Sequence, residues 1–167
     1  MSDVPEKKAG TSSRSVDDYT PDTYTWTDAY IKRILATMVQ DVQLLASHRS
    51  ALQAEYFEKE HHRVLAHLIL EHFDKHTAPP DWAILDNYVE LYASQRPNYG
   101  DFKGLKKLTR KLFELGVIGQ VDQIKEEVIA FGRHQALKRM YIEGYASLSQ
   151  PESYADAMDG VQQALAV

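Results

Sequence analysis

The chain has 167 residues, of which 44% are hydrophobic and 26% are charged, and its formal net charge at pH 7 is −5. This size predicts one compact domain with a real core, and the acidic balance argues against non-specific nucleic-acid binding by the chain as a whole, because phosphates would repel it. There is no cysteine, which excludes disulfides, thiolate nucleophiles and cysteine-based zinc sites.

The N-terminal segment, "MSDVPEKKAGTSSRSVDDYTPDTYT", is rich in small and polar residues. Such a composition cannot bury enough apolar area to offset chain entropy, so residues 1–24 are predicted to be a disordered tail. The segment lacks the hydrophobic stretch of a secretory signal, and no later run approaches the roughly 18 apolar residues of a membrane helix. We expect a cytoplasmic protein with no membrane partner.

Two helices are predicted in the first half of the chain. The segment "WTDAYIKRILATMVQDVQLL" opens with Thr27 as a plausible N-cap and Asp28 in the first turn. Its apolar stripe at three- and four-residue steps consists of Ile31, Ile34, Leu35, Met38, Val42 and Leu45. The segment "EYFEKEHHRVLAHLILEHFDKH", residues 55–76, is predicted to form one helix that ends before Pro79 and Pro80.

Two shorter helices follow. Asp81 is the predicted N-cap of "WAILDNYVELYASQ", in which the inward stripe is Ile84, Leu85, Tyr88 and Tyr92. "RPNYG" is a turn. The next helix, residues 101–115, is predicted to bury Leu105, Leu108, Leu112 and Leu115.

The C-terminal part of the chain predicts a helical hairpin. "GVIGQ" interrupts the helical pattern, a long helix spans residues 122–148, and Pro151 opens a last helix, where its missing N–H costs nothing. No alternating strand pattern of useful length occurs. The predicted fold is therefore all-α, with a small helical globule (residues 25–118) followed by an antiparallel helical hairpin (residues 119–167).

Five of the seven histidines lie in the second predicted helix, which raises the question of a metal site. The His-Glu-x-x-His motif of zinc proteases is absent. Only His72 and His76 have the spacing that lets two rings share an ion, and no third ligand is evident. Structural hydrogen bonds through the ring nitrogens are the favoured interpretation, and we expect neither a metal nor a cofactor.

Catalytic signatures are also missing from the sequence. It contains no G-x-x-x-x-G-K-[ST] loop for phosphate binding, and neither a G-x-S-x-G motif nor paired carboxylates stand out. A non-enzymatic chain is predicted. One charged feature remains, a basic helical face within about 140° of arc. It is a candidate nucleic-acid contact or a solvated surface, formed by Lys103, Lys106, Lys107, Arg110 and Lys111.

The histidine-rich segment also carries a family resemblance. "YFEKEHHRVLAHLI" has Phe57, four residues, then His62, Arg63 and an aliphatic pair, and it resembles the N-terminal domain of DnaB-type replicative DNA helicases. Three further segments resemble that domain in the same order: "ILATMVQD", "APPDWAIL" with Asp81, and "VDQIKEEVIAFGRHQALKRMYIEGYASL". Ala36 and Thr37 replace the family's usual Gly-Gly, and Ala66 stands where an aromatic residue is usual, so the resemblance favours a divergent, phage-type member in a bacterial or phage-infected cell.

The resemblance implies a function. In this family the N-terminal domain is not catalytic, hairpins pair between subunits into the collar of a hexameric ring, and the collar receives primase or a helicase loader. The ATPase lies further along the family's chain, so we expect either a domain of an ATP-dependent helicase or a stand-alone protein, and contact with DNA is expected to be indirect or weak. The structural family motif then comprises Phe57, His62, Arg63 and Asp81.

Aromatic residues and methionines are the anchors expected at a helix–helix interface. The candidate interface residues in the hairpin are Phe131, Leu137, Met140, Tyr141, Tyr145, Tyr154, Met158 and Val161. For each of them, a place in the core of a single protomer is the alternative. Two other functions stay open: an adaptor or inhibitor that mimics the helicase collar, and a nucleic-acid-binding module that uses the basic helix at residues 103–111.

Overall fold

The computed structural model describes residues 26–97, 99–115 and 121–147, together with the single residues 159 and 162. Within these ranges all regular structure is helical, which confirms the all-α prediction. The helices are α1 (Asp28–Gln40), α2 (Val42–His48), α3 (Glu60–His76), α4 (Trp82–Ser94), α5 (Phe102–Glu114) and α6 (Val121–Ser147), with 3₁₀ turns at Arg49–Ala51 and Ala54–Tyr56.

Two predicted segments lie outside the described residues. They are the N-terminal tail at residues 1–24 and the helix after Pro151, of which only Asp159 and Gln162 are described, both helical and exposed. The structure therefore supports the small helical globule, while the returning helix of the hairpin stays a prediction.

The first predicted helix is in fact two helices that meet at Asp41. Thr27 caps α1 as expected, and its hydroxyl accepts a hydrogen bond from the Tyr30 N–H at 3.3 Å. Asp41 leaves the helical region (φ −119°, ψ 100°), and its carboxylate accepts N–H groups of α2. A carboxylate side chain competes for backbone donors and so favours a cap over a helix interior. Because the helix ends here, Val42 is 38% exposed and does not extend the buried stripe as predicted.

The second predicted helix begins later than the sequence suggested. Phe57 is extended (φ −90°, ψ 113°) and α3 starts at Glu60. The Arg63 guanidinium donates hydrogen bonds to the carbonyls of Phe57 and Glu58, both at 3.1 Å. This side chain thereby satisfies backbone acceptors that a longer helix would have satisfied itself. At its other end α3 stops at Thr77, which adopts a left-handed conformation (φ 57°).

α4 is capped as predicted but turned slightly about its axis. The Asp81 carboxylate accepts a hydrogen bond from the Ile84 N–H at 2.9 Å. Leu85 and Val89 are buried, whereas Ile84 is 36% exposed. The predicted stripe was wrong at Ile84 because the helix face that meets the core is centred on the Leu85–Val89 line.

α5 follows the prediction except at Leu115, which was predicted to be buried. Leu105, Leu108 and Leu112 are buried, and Leu115, which follows the last helical residue, is 37% exposed. The Gln40 side-chain amide of α1 donates hydrogen bonds to the carbonyls of Leu112 and Leu115 at 3.2 and 2.7 Å. Carbonyls at a helix end need such partners, so Gln40 ties the end of α5 to α1.

The long helix α6 joins the same core through its first half. Ile124, Val128, Phe131 and Ala136 are buried in one cluster with the apolar side chains of α1 to α5. Phe131 packs against Trp26 and Phe57, with ring centroids 5.5 and 5.4 Å apart. The expected division after residue 118 therefore does not separate two cores, because this part of α6 belongs to the globule.

Candidate interaction surfaces

The histidine-rich helix uses its rings in structural contacts. His72 lies with its Nδ1 3.0 Å from the Tyr88 hydroxyl, and its ring is 4.4 Å from that of His76 between centroids. His61 Nε2 is 3.0 Å from the Asp101 carbonyl oxygen. Among the described residues no three histidine or carboxylate side chains form a group that could hold a metal ion. The His72–His76 pair thus has no third ligand in this part of the chain.

His62 is the most deeply buried of these rings, at 4% exposure. Burial lowers its pKa to about 4, although Asp28 lies 3.5 Å from its Nε2 and acts in the opposite direction. Hydrogen bonds from Lys32 and Lys59 hold the pKa of Asp28 well below its usual range. His62 is therefore neutral at pH 7, and with Phe57, Arg63 and Asp81 it supports local structure around α3 and α4.

A cleft of about 360 Å³ lies between α3 and α4. His72, Tyr88 and Tyr92 line it, and the Arg96 guanidinium lies 3.9 Å from the centre of the Tyr92 ring. Leu91, at its edge, is 52% exposed. These side chains offer stacking and hydrogen bonding to a bound group.

The second half of α6 carries exposed apolar side chains. Leu137, Tyr141 and Ile142 are 42%, 71% and 60% exposed, while Met140 is half-buried against the core. We call Leu137, Tyr141 and Ile142 the α6 apolar patch. At about 100° per residue, Leu137 points about 180° away from Val128, whereas Ile142 continues the line of Phe131. The patch therefore has an outer part and a part that extends the core-facing stripe.

The candidate interface residues separate into three groups in the structure. Leu137 and Tyr141 lie exposed, as an interface requires, and Met140 is intermediate. Phe131 is fully buried inside the protomer, so its assignment as an interface residue is corrected to a core residue. The remaining candidates lie outside the described residues or side chains; they are Tyr145, Tyr154, Met158 and Val161.

Ile142 was not among the sequence-predicted interface residues. Its signal was present, because it follows Phe131 by three helical turns on the same face. What the sequence did not reveal is that the globule stops covering this face before residue 142.

The basic face of α5 is divided by its neighbour α4. Lys106 Nζ lies 2.6 Å from a Glu90 oxygen and 3.6 Å from Asp86, and the hydrogen bond that Lys106 donates to Glu90 raises the pKa of Lys106. The other four cations are exposed and pair with no carboxylate of the described residues. We call them the α5 basic strip, formed by Lys103, Lys107, Arg110 and Lys111.

Comparison with known proteins gives no match. No family model, no curated protein and no solved structure matches it. The described part of the structure also holds no helix with the length and apolar character to cross a membrane.

Proposed function

We propose that this chain is a non-catalytic assembly and protein-interaction domain, equivalent to the N-terminal collar domain of a DnaB-type replicative helicase. In this proposal it self-associates through α6 and the segment that follows, and the assembled surface docks primase or a helicase loader. The α6 apolar patch carries the proposal.

The patch has the composition of an interface. Large apolar side chains are normally buried, and a tyrosine is among the residues that contribute most to binding between proteins. Tyr141 is 71% exposed and Leu137, one turn earlier, is 42% exposed on the same outer face. Burying both against a second helix would remove them from water at a gain of roughly 25 cal/mol per Å² of apolar surface.

Charged residues border the patch. Lys138 Nζ lies 2.6 Å from a Glu58 oxygen, and Arg139 Nε lies 2.6 Å from a Glu143 oxygen. Protein interfaces commonly have an apolar centre with a polar rim. The Lys138–Glu58 pair also links this part of α6 to the residues after the Ala54–Tyr56 turn, whereas the Arg139–Glu143 pair lies within α6.

The proposal is tested by light scattering on the full chain after size exclusion. We expect an oligomer whose population grows with concentration, and we expect the variant Leu137→Ser/Tyr141→Ser to weaken association at least tenfold. The matched control is Ile84→Ser/Leu91→Ser, which removes two exposed apolar side chains from α4 and should leave association unchanged. Point variants are preferable to deletion of α6, because deletion would expose the core that Phe131 fills.

Two results would contradict the proposal. One is a full-length chain that remains monomeric at millimolar concentration. The other is equal weakening by the α6 and α4 variants, which would indicate non-specific association through any exposed apolar residue.

A further inference from the structure

Four of the five cations on α5 lack an ion pair among the described residues, in contrast to many cations elsewhere in the globule. Outside α5, exposed lysines and arginines commonly pair with carboxylates inside the protomer. The pairs are Lys32 and Lys59 with Asp28, Arg49 with Asp74, Lys75 with Glu71, Lys138 with Glu58, and Arg139 with Glu143. The four residues of the α5 basic strip have no such partner among the described residues, although the chain as a whole carries an excess of acidic residues.

This arrangement is unfavourable for the isolated helix. Lys103, Lys107 and Lys111 follow each other at i, i+4 spacing, where like charges destabilise a helix. Lys103 also lies in the first turn, where the helix dipole disfavours a cation. Glu114 is the single acidic residue within α5, at its last position. An anion from outside the described residues would therefore relieve these repulsions.

The geometry of the strip fits a repeating anion. Successive cations at i, i+4 are about 6 Å apart along the axis, so the strip is about 12 Å long on one straight helix. Between Lys103 and Lys111 no aromatic or aliphatic side chain is exposed, and Leu115, beyond the end of the helix, is 37% exposed. Regularly spaced positive charge with few apolar anchors favours the sugar–phosphate backbone of a nucleic acid over a folded protein or an acidic peptide.

The buried side of α5 limits how the backbone is contacted. Leu105, Leu108 and Leu112 are packed in the core, so only the outer face of the helix is available. The strip can therefore reach a nucleic acid only through this outer face. The strip also carries neither asparagine nor glutamine for adenine readout and has no exposed ring on which an unpaired base could stack.

We propose that the α5 basic strip binds the phosphate backbone of duplex DNA without reading base sequence. This interaction is separate from self-association: it uses the outer face of α5, whereas association uses the α6 apolar patch. The two proposals can therefore fail independently.

The test is fluorescence anisotropy of a labelled random-sequence DNA duplex titrated with the full chain. Four phosphate contacts predict a slope of log K against log salt of about −3 to −4, and hence roughly a hundredfold loss of affinity between 50 and 200 mM salt. The variant Lys103→Gln/Lys107→Gln/Arg110→Gln/Lys111→Gln should lose at least a hundredfold in affinity at 50 mM salt and most of the slope. Circular dichroism verifies that it folds.

The matched control has the same change in net charge. Arg33→Gln/Lys59→Gln/Lys75→Gln/Arg96→Gln neutralises four exposed cations that lie outside α5 and α6, and it should lose less than fivefold. Equal loss in both variants would overturn the proposal in favour of a general charge effect. Absence of duplex binding at 50 mM salt, tighter binding of single-stranded DNA, or binding of a poly-glutamate peptide in preference to the duplex would each overturn it as well.

Discussion

The two halves of α6 have similar apolar content and opposite surroundings. In the first half, Val128 and Phe131 are completely buried, and in the second half Tyr141 and Ile142 are mostly exposed. A single unbroken helix of 27 residues carries both. The difference teaches that burial of a helical stripe is decided by what lies opposite it. α6 contacts the Arg49–Ala51 turn and α2, Gly132 lies against Ala51, and Tyr141 and Ile142 follow more than two helical turns later.

The largest expected effect comes from truncating the buried half. Phe131→Ala removes a ring that packs against Trp26 and Phe57, and it should lower the free energy of unfolding by about 3–5 kcal/mol. Urea denaturation followed by tryptophan fluorescence measures this loss. Tyr141→Ala is the matched change in the exposed half and should cost less than about 0.5 kcal/mol. Similar losses in both variants would abolish the distinction between the halves.

Acid should weaken the globule that holds the first half. His62 has a folded pKa of about 4, below the value of about 6.5 for an unfolded histidine, so the unfolded chain takes up its proton first. Stability should therefore fall as the pH decreases from 6.5 towards 4, by up to about 3 kcal/mol at roughly 1.4 kcal/mol per pKa unit. Burial also lowers the pKa of His72, so this residue adds to the fall in stability as the pH decreases.

Denaturation midpoints measured between pH 7.5 and 4.5 test this dependence. His62→Gln should flatten most of the slope, whereas His67→Gln, at an exposed ring, should leave it unchanged. A slope that persists in full in the His62 variant would refute the assignment.

The third prediction concerns the close contact between Gly132 of α6 and Ala51. A Cβ atom at Gly132 would lie 2.5 Å from the Ala51 carbonyl oxygen and 2.9 Å from its Cα, and both are backbone atoms that cannot move aside easily. Gly132→Ala should therefore destabilise by about 1–3 kcal/mol through overpacking, despite the helix propensity gained, which is at most about 1 kcal/mol. Thermal unfolding provides the measurement. Gly100→Ala is the control, since nothing lies within 4 Å of its added Cβ.

The smallest effect is expected at Ile142. Ile142→Ser should change the stability of the monomer by less than about 0.5 kcal/mol, because the side chain is 60% exposed. If association covers this residue, the loss should grow with protein concentration, since a partner that binds only the folded chain stabilises it. Thermal melts at two concentrations a hundredfold apart separate the two cases, and a loss that does not depend on concentration would place Ile142 outside the interface.

Much of the fold was predictable because helical periodicity is a local signal. The stripes of α1 and α5 and the caps at Thr27 and Asp81 follow from residue spacing and side-chain chemistry. The break at Asp41 was missed because Met38 and Val42 have i, i+4 spacing that suggests continuity. The sequence contained the capping residue, but the stripe favoured an uninterrupted helix.

The surfaces were less predictable because they depend on distant residues. Periodicity assigns Phe131 and Leu137 to faces of a helix, but it does not reveal which face the globule covers. Lys106 and Lys107 are neighbours of the same type, yet only Lys106 meets the carboxylates of α4. Such differences arise from tertiary contacts, which a single sequence encodes only indirectly.

The continuity of α6 has a mechanical consequence. Because no hinge separates its anchored and outward segments, whatever binds at Tyr141 is held at a fixed angle to the globule. If binding at Tyr141 depends on how firmly the first half of α6 packs in the core, then binding should stabilise that packing by the same free energy. The orientation of subunits in any assembly would then be set by the packing of Phe131 in the core. Phe131 lies about 15 Å along the helix axis from Tyr141, at about 1.5 Å per residue.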